Sequence, residues 1–207
     1  MKHKDYFAYP QLLFLLLAMV LSACGAHEYR LRRAKLLYHQ GQLLQTQGKI
    51  EEATKKFEAS LALSRREGFR PGIAHNLNEL AIIKVSKGEY VKARQLLEEA
   101  LGIYKSLRMS AEVSKVMNNL AITYLEQGDP KGALTAYNEL LQWDKATGNI
   151  LGQLIVLYNM GEIYEEYLNQ PCQAKPHFEA ALRLALSLGR RKLAKKIHHK
   201  ISSLNCQ

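Results

Sequence analysis

The chain has 207 residues, of which 47% are hydrophobic and 23% are charged, a composition typical of a globular domain with a continuous core. Its formal net charge is +10. A basic balance suits nucleic acid, an anionic membrane surface or an acidic protein partner. The export signal described next argues against nucleic acid.

The first residues form a predicted export signal. A short basic start with Lys2 and Lys4 precedes an apolar run that is strongest from Leu12 to Leu21. That run is shorter than the ~20 apolar residues that a helix needs to span a bilayer. Small residues follow it, as they do before the cleavage site of a secretory signal peptide. We therefore predict that residues 1–23 are a signal peptide.

The four residues Leu-Ser-Ala-Cys at positions 21–24 resemble the bacterial lipobox. The resemblance implies cleavage before Cys24, diacylglycerol on its thiol and acylation of the new amino group. Two or more acyl chains anchor a protein stably, at ~0.8 kcal/mol per buried methylene. A plain signal peptide with a chance cysteine is the alternative.

The residue after Cys24 bears on the location of the protein. In lipoproteins an aspartate at that position favours the inner membrane, and here the residue is Gly25. We therefore expect a lipid-anchored protein at the periplasmic face of the outer membrane. Residues 24–33 are then the lipidated cysteine, a short tether and the start of the first helix, with helix signals resuming by about Glu28.

A forty-residue pattern fills the rest of the chain. Residues 117–137 describe an amphipathic helix, a tight turn at Gly128 and a second amphipathic helix. The same spacing begins at Leu37, Leu77 and Leu157, and the fourth copy has one extra residue in its turn. A fixed period predicts a stack of identical helix pairs.

Small residues recur at one position of every helix, where close crossing of two helices requires them. In the first helices they are Gly41, Ala81, Ala121 and Gly161, and in the second helices they are Ala53, Ala93, Ala133 and Ala174.

These repeats resemble the tetratricopeptide repeat over roughly residues 34–188, although that repeat usually has about 34 residues. Forty-residue versions resemble those of kinesin light chains and of bacterial peptide-sensing regulators. The resemblance implies an all-α fold, a right-handed superhelix of four helix pairs plus a C-terminal capping helix. We expect the repeats at about 34–69, 70–109, 110–149 and 150–188, and the capping helix and tail at 189–207.

In this family the first helices line a concave groove that holds a partner. Asn119, followed by Leu120 and Ala121, resembles the kinesin-light-chain type, in which groove asparagines hold an extended peptide. An asparagine amide offers one acceptor and two donors, which match a peptide group. The alternative is that Asn118 and Asn119 are merely solvated. The resemblance places in the groove Tyr38, Asn78, Lys115, Asn118, Asn119, Tyr158, Asn159 and Glu162.

The two cysteines near the end of the chain suggest a disulfide. Cys172 begins the second helix of the last repeat, and Cys206 follows the capping helix. These helices should be antiparallel, which brings the two cysteines together, and an exported compartment is oxidising. We predict a Cys172–Cys206 bond worth ~3–4 kcal/mol on the chain-entropy model. Two free thiols are the alternative.

No motif in the sequence indicates catalysis. There is no nucleophile motif and no glycine-rich phosphate loop, and the adjacent His198 and His199 point to different helix faces, which makes a poor metal pair. We expect a non-enzymatic protein without a cofactor or a bound metal.

The sequence therefore predicts a membrane-anchored scaffold that binds a peptide segment or helix of another cell-envelope protein in the groove. Two alternatives stay open. One is a structural oligomer, and the other is an envelope protein that binds anionic phospholipid or cell-wall polymer, in each case with no peptide in the groove.

Overall fold

The computed structural model describes the backbone of residues 9–205 and the side chains of residues 25–205. Within that range the predicted all-α stack of helix pairs with a capping helix is confirmed. The α-helices are α1 (Tyr9–Thr46), α2 (Ile50–Arg66), α3 (Arg70–Ser86), α4 (Tyr90–Ser106), α5 (Ser110–Glu126), α6 (Pro130–Ala146), α7 (Ile150–Glu162), α8 (Pro171–Ser187) and α9 (Arg191–Ser203).

The start of the chain differs from the expectation in one respect. Helix α1 runs from Tyr9 to Thr46 and therefore includes residues 24–33, where we expected a short tether up to about Glu28. No proline interrupts residues 11–46, so the local sequence contains no strong helix breaker. The side chains of residues 1–23 and of Cys24 lie outside the described residues, and so does Cys206. Among the helices of the described part, none is both long and apolar enough to cross a membrane.

The chain divides into two compact units, one up to Asn76 and one from Leu77 onwards. In the first unit Phe57 of α2 is fully buried against Gly41 of α1, where an added Cβ would lie 2.6 Å from the ring. A buried polar link also joins its helices. Ser60 Oγ donates to the Ala34 carbonyl at 2.8 Å, and Asn76 Nδ2 donates to Ser60 Oγ at 2.9 Å.

The turns between helices share one geometry, except the turn after α7. At the turn after α5, Gly128 N donates to the Leu125 carbonyl and Asp129 N donates to the Tyr124 carbonyl, both at 2.8 Å, which closes the helix with the left-handed residue Gly128 at φ 82°. Asn169 occupies the corresponding slot of repeat four at φ 52°, a conformation that asparagine tolerates better than most residues. Arg108 does the same at φ 56°, although arginine rarely adopts this conformation.

The extra residue of repeat four lies in a helix and not, as we expected, in the turn. A π-helical segment, Ile163–Tyr167, follows α7. Leu168 N donates to the Ile163 carbonyl at 3.1 Å, and Gln170 N donates to the Tyr164 carbonyl at 2.7 Å. The bond from Gln170 N reaches back six residues, whereas the corresponding bond in the other turns, such as that from Asp129 N to the Tyr124 carbonyl, reaches back five. The wider π turn takes in the extra residue.

The second unit has its own core around Phe178 of α8. Phe178 is fully buried, and an added Cβ on Gly161 of α7 would lie 2.6 Å from its ring. The capping helix α9 buries Ala194 and Ile197 in the same cluster. This end of the chain therefore holds α7 and α9 firmly against α8, and α7 carries part of the candidate site.

Candidate protein-binding surface

The predicted groove residues all lie on first helices, but they differ in exposure and in partners. In the first unit Tyr38 is half-buried, with its ring centroid 5.7 Å from that of Phe57 and 5.8 Å from that of His75. The other seven lie in the second unit, on α3, α5 and α7.

Asn78 and Asn119 bond to each other across α3 and α5. Asn119 Nδ2 donates to Asn78 Oδ1 at 2.7 Å, and Asn78 Nδ2 donates to Glu79 Oε1 at 3.4 Å. Lys115 Nζ lies 3.6 Å from the same Glu79 oxygen. Asn78 is only 2% exposed, so its amide is used within the protein. The structure therefore brings three predicted residues together, but it gives Asn78 a packing role.

Asn159 and Tyr137 form a second link of this kind. Asn159 Nδ2 donates to the Tyr137 hydroxyl at 3.1 Å, which joins α7 to α6. Tyr137 is 1% exposed, and burial raises the pKa of its hydroxyl above the ordinary value although the bond from Asn159 lowers it. The Asn159 amide is therefore also engaged within the protein, between repeats three and four.

Tyr158 and Glu162 lie together on α7. Burial, followed by the hydrogen bond to Glu162, raises the pKa of the Tyr158 hydroxyl. The Tyr158 ring centroid lies 5.5 Å from that of Phe178, and Lys196 Nζ of α9 lies 5.3 Å from the Tyr158 ring centroid. Tyr158 thus has one face in the core and its polar end between an acid and a base.

A cleft of about 270 Å³ separates α5 from α7. Lys115 and Asn118 line it from α5, and Leu151 and Ile155 line it from α7. Lys115 is exposed and Asn118 is half-exposed. Lys115 and Asn118 are the predicted residues that line this cleft, and Asn119 lines a smaller one of about 150 Å³ beside Ile122.

Leu151 and Ile155 were not predicted. They are 42% and 45% exposed. They also line a second cleft, of about 600 Å³, whose other wall is residues 189–193 with Arg190 and Lys192. One signal could have found Ile155, since the corresponding residues of the other repeats are polar: Lys35, His75 and Lys115.

Asp144 was also missed, and it lies beside the first cleft. It is 1% exposed. Ser114 Oγ donates to Asp144 Oδ1 at 2.6 Å, and Asn149 Nδ2 donates to the same oxygen at 2.9 Å. Asn149 caps α7 by accepting a bond from Gly152 N at 3.0 Å. Asp144 therefore ties α5, α6 and the start of α7 into one wall.

The predicted disulfide lies partly outside the described residues. Cys172 is exposed in the first turn of α8, while Cys206 lies outside the described residues, so the disulfide stays a prediction. Within the described residues no group of three or more His, Cys, Asp and Glu side chains could hold a metal ion.

Stacked helix pairs whose first helices expose apolar and basic side chains define a helical-repeat protein of the kind that binds other proteins. The chain belongs to the tetratricopeptide repeat family, because the model described as "Tetratricopeptide repeat" matches residues 32–106 and 112–187. Proteins of this family bind other proteins and are typically non-enzymatic scaffolds. None of the curated proteins compared with the chain matches it.

Solved structures share the fold at low identity. BtubC (BKLC) from P. vanneervenii is 20% identical with a TM-score of 0.66, covering 75% of this chain and 64% of that one. Aspartyl phosphate phosphatase F from Bacillus subtilis is 17% identical with a TM-score of 0.71, covering 94% and 56%. The TPR-like repeats of a Podosopora anserina kinesin light chain are 18% identical with a TM-score of 0.60, covering 83% and 94%. The chain thus spans less than two thirds of the first two proteins, and the likeness shows the fold alone.

Proposed function

We propose that the chain is a lipid-anchored scaffold at the periplasmic face of the outer membrane, where it binds a peptide segment or helix of another cell-envelope protein. The role is binding alone, without a catalytic step. One observation carries the binding proposal: Leu151 and Ile155 are 42% and 45% exposed between two clefts that also contain Lys115 and Arg190. A segment with apolar side chains between acidic ones suits this surface in shape and in charge.

The anchor rests on the lipobox-like residues that end at Cys24. In cells fed labelled palmitate, we expect the wild-type protein to carry the label and Cys24→Ser to lose it, because the acyl chains depend on that thiol. Cys172→Ser is the matched control and should keep the label, since Cys172 lies in α8. A Cys24→Ser protein that still carries palmitate would contradict the proposed anchor.

The binding surface is tested by Leu151→Ser together with Ile155→Ser. Both side chains are already partly buried, so covering the rest stabilises a complex by about 1 kcal/mol each, and the double variant should bind roughly 30-fold more weakly. The measurement is co-purification from membranes dissolved in mild detergent, with retained proteins identified by mass spectrometry. Val91→Ser, a 60% exposed apolar residue on the second helix α4, is the matched control.

A partner kept by wild type and by Val91→Ser but lost from the double variant would support this surface. A partner kept by all three proteins would place the interaction elsewhere and contradict the proposal. Alanine variants of Asn119 and Asn159 are less informative, because both amides bond within the protein and their loss would also disturb the repeat packing.

A further inference from the structure

The capping helix leaves an open apolar groove along one side. Helices α8 and α9 border a cleft of about 550 Å³, with Leu182, Leu186 and Ala194 among its apolar walls. Leu186 is 60% exposed. A single exposed aliphatic residue is common on protein surfaces, but Leu186 borders an apolar cleft rimmed by Arg191 and Lys195, and an apolar patch with a polar rim is typical of an interaction site.

The repeat itself indicates what kind of element fits the groove. Because repeat four has one extra residue, the closing turns before α7 and α9, at Gly148 and Gly189, are forty-one residues apart. By that offset Lys195 and His199, which line the groove, correspond to Leu154 and Tyr158 of α7. In repeat four those earlier residues pack against the second helix α8, since both belong to the cluster around Phe178. The groove side of α9 therefore corresponds to the face of α7 that binds the second helix of its repeat. Within residues 9–205 no helix follows α9 to cover that face.

The positive charge beside the groove indicates which partner side chains would bind there. Residues 190–205 contain six lysines and arginines and no aspartate or glutamate. Lys200 is engaged by Glu165 and Glu166 at 3.0 and 2.9 Å, whereas Arg191 and Lys195 line the groove. Acidic side chains on the occupant would be attracted here, while a second copy of this chain, with a net charge of +10, would bring like charge.

We propose that this groove binds an amphipathic helix of a partner protein, with aliphatic residues on one face and aspartate or glutamate along its edges. The helix docks as the second helix of a fifth pair, antiparallel to α9. This surface is distinct from the one formed by Leu151 and Ile155, and the clefts of the two surfaces meet at Arg191. The inference goes beyond the proposed function and does not depend on it.

The test uses the full chain in phosphatidylcholine nanodiscs and two fluorescent synthetic helices. Both peptides carry leucine at positions i, i+3, i+4 and i+7; one has glutamate along the edges of this stripe and the other has lysine. By fluorescence anisotropy we expect the glutamate peptide to bind about tenfold or more tightly than the lysine peptide, and the difference to shrink with added salt.

The combined Leu186→Glu and Lys195→Glu variant should lose about tenfold or more in affinity for the glutamate peptide. Leu186 and Lys195 are both exposed, so the variant should keep its circular dichroism spectrum. Lys131→Glu makes the same charge change as Lys195→Glu, on an exposed position of α6, and should bind like wild type. The Leu151→Ser and Ile155→Ser protein should also bind the peptide normally, which separates this proposal from the proposed function.

Three results would overturn the inference. The first is equal binding of the two peptides, or binding that the combined variant leaves unchanged. The second is binding to phosphatidylglycerol vesicles, lost in that variant, with no binding of the glutamate peptide, which would assign the groove to a membrane surface. The third is a concentration-dependent doubling of mass in light scattering that Leu186→Glu abolishes, which would assign it to a second copy of the chain.

Discussion

Replacing Gly161 with leucine is expected to lower the free energy of unfolding by about 3 kcal/mol, at the upper end of the range for overpacked cores. An alanine Cβ at this position would already lie 2.6 Å from Cε1 of Phe178, and Phe178 is fully buried. Every further atom must therefore displace a ring that has no space to move into. Urea denaturation followed by circular dichroism measures the change.

A double-mutant cycle tests the cause. Repeat two places Ala81 and Leu97 where repeat four has Gly161 and Phe178. We expect Gly161→Ala with Phe178→Leu to be less destabilised than the sum of the single variants, by about 1–2 kcal/mol, because the smaller side chain makes room for the added methyl group. Gly102→Ala is the control: no heavy atom lies within 4 Å of its added Cβ, so it should gain up to ~1 kcal/mol. If the changes in the free energy of unfolding of the two single variants simply added up in the double variant, steric crowding where α7 crosses α8 would not be the cause of the destabilisation.

Replacing Asp144 with alanine is expected to cost about 3 kcal/mol, because hydrogen bonds to a charged group are worth about 1.5–3 kcal/mol and two part-buried donors would lose their shared acceptor. Those donors are the Ser114 hydroxyl of α5 and the Asn149 amide at the start of α7. The loss would also loosen the cleft beside Leu151 and Ile155. The measurement is again the urea midpoint.

Two further variants separate these bonds from a general helix effect. Asp144→Asn keeps an acceptor oxygen of nearly the same shape and should lose clearly less stability than the alanine variant. Asp129→Ala removes a carboxylate that caps α6 through a 2.9 Å bond from Gly132 N, and it should cost about 1 kcal/mol. If Asp144→Ala were no more harmful than Asp129→Ala, the tie between the three helices would have little energetic weight.

The fold was predictable because it follows from local spacing. Small residues such as Ala81 and Ala121 recur at a fixed interval, and Pro130 and Asn169 stand where a helix must begin or a turn must close. Arg108 shows the limit of this reasoning, since its left-handed conformation is imposed by the repeat and opposed by its own preference. The place of the extra residue in repeat four was likewise not readable from spacing alone.

The candidate site was less predictable, because it depends on what neighbouring helices do with each side chain. The pattern put Asn78 on the correct helix but could not show that Asn119 covers and bonds it. Asp144 lies in a slot where the other repeats have Ser64, Tyr104 and Ala185, so nothing in its position indicated a buried carboxylate. Ile155 was overlooked for the opposite reason, since apolar residues in an amphipathic helix are assumed to face the core.

The π turn at Ile163–Tyr167 shows where this architecture can vary in length. An added residue in a turn would break the paired bonds that close the helix and would displace the helix that follows. At the end of a first helix, the same residue changes only the local hydrogen-bond pattern. Insertions and deletions can therefore occur there without changing the order or pairing of the repeats. Each such event rotates the residues around it, so a change in length becomes a change in which side chains reach other helices, as Glu165 and Glu166 reach Lys200 of α9.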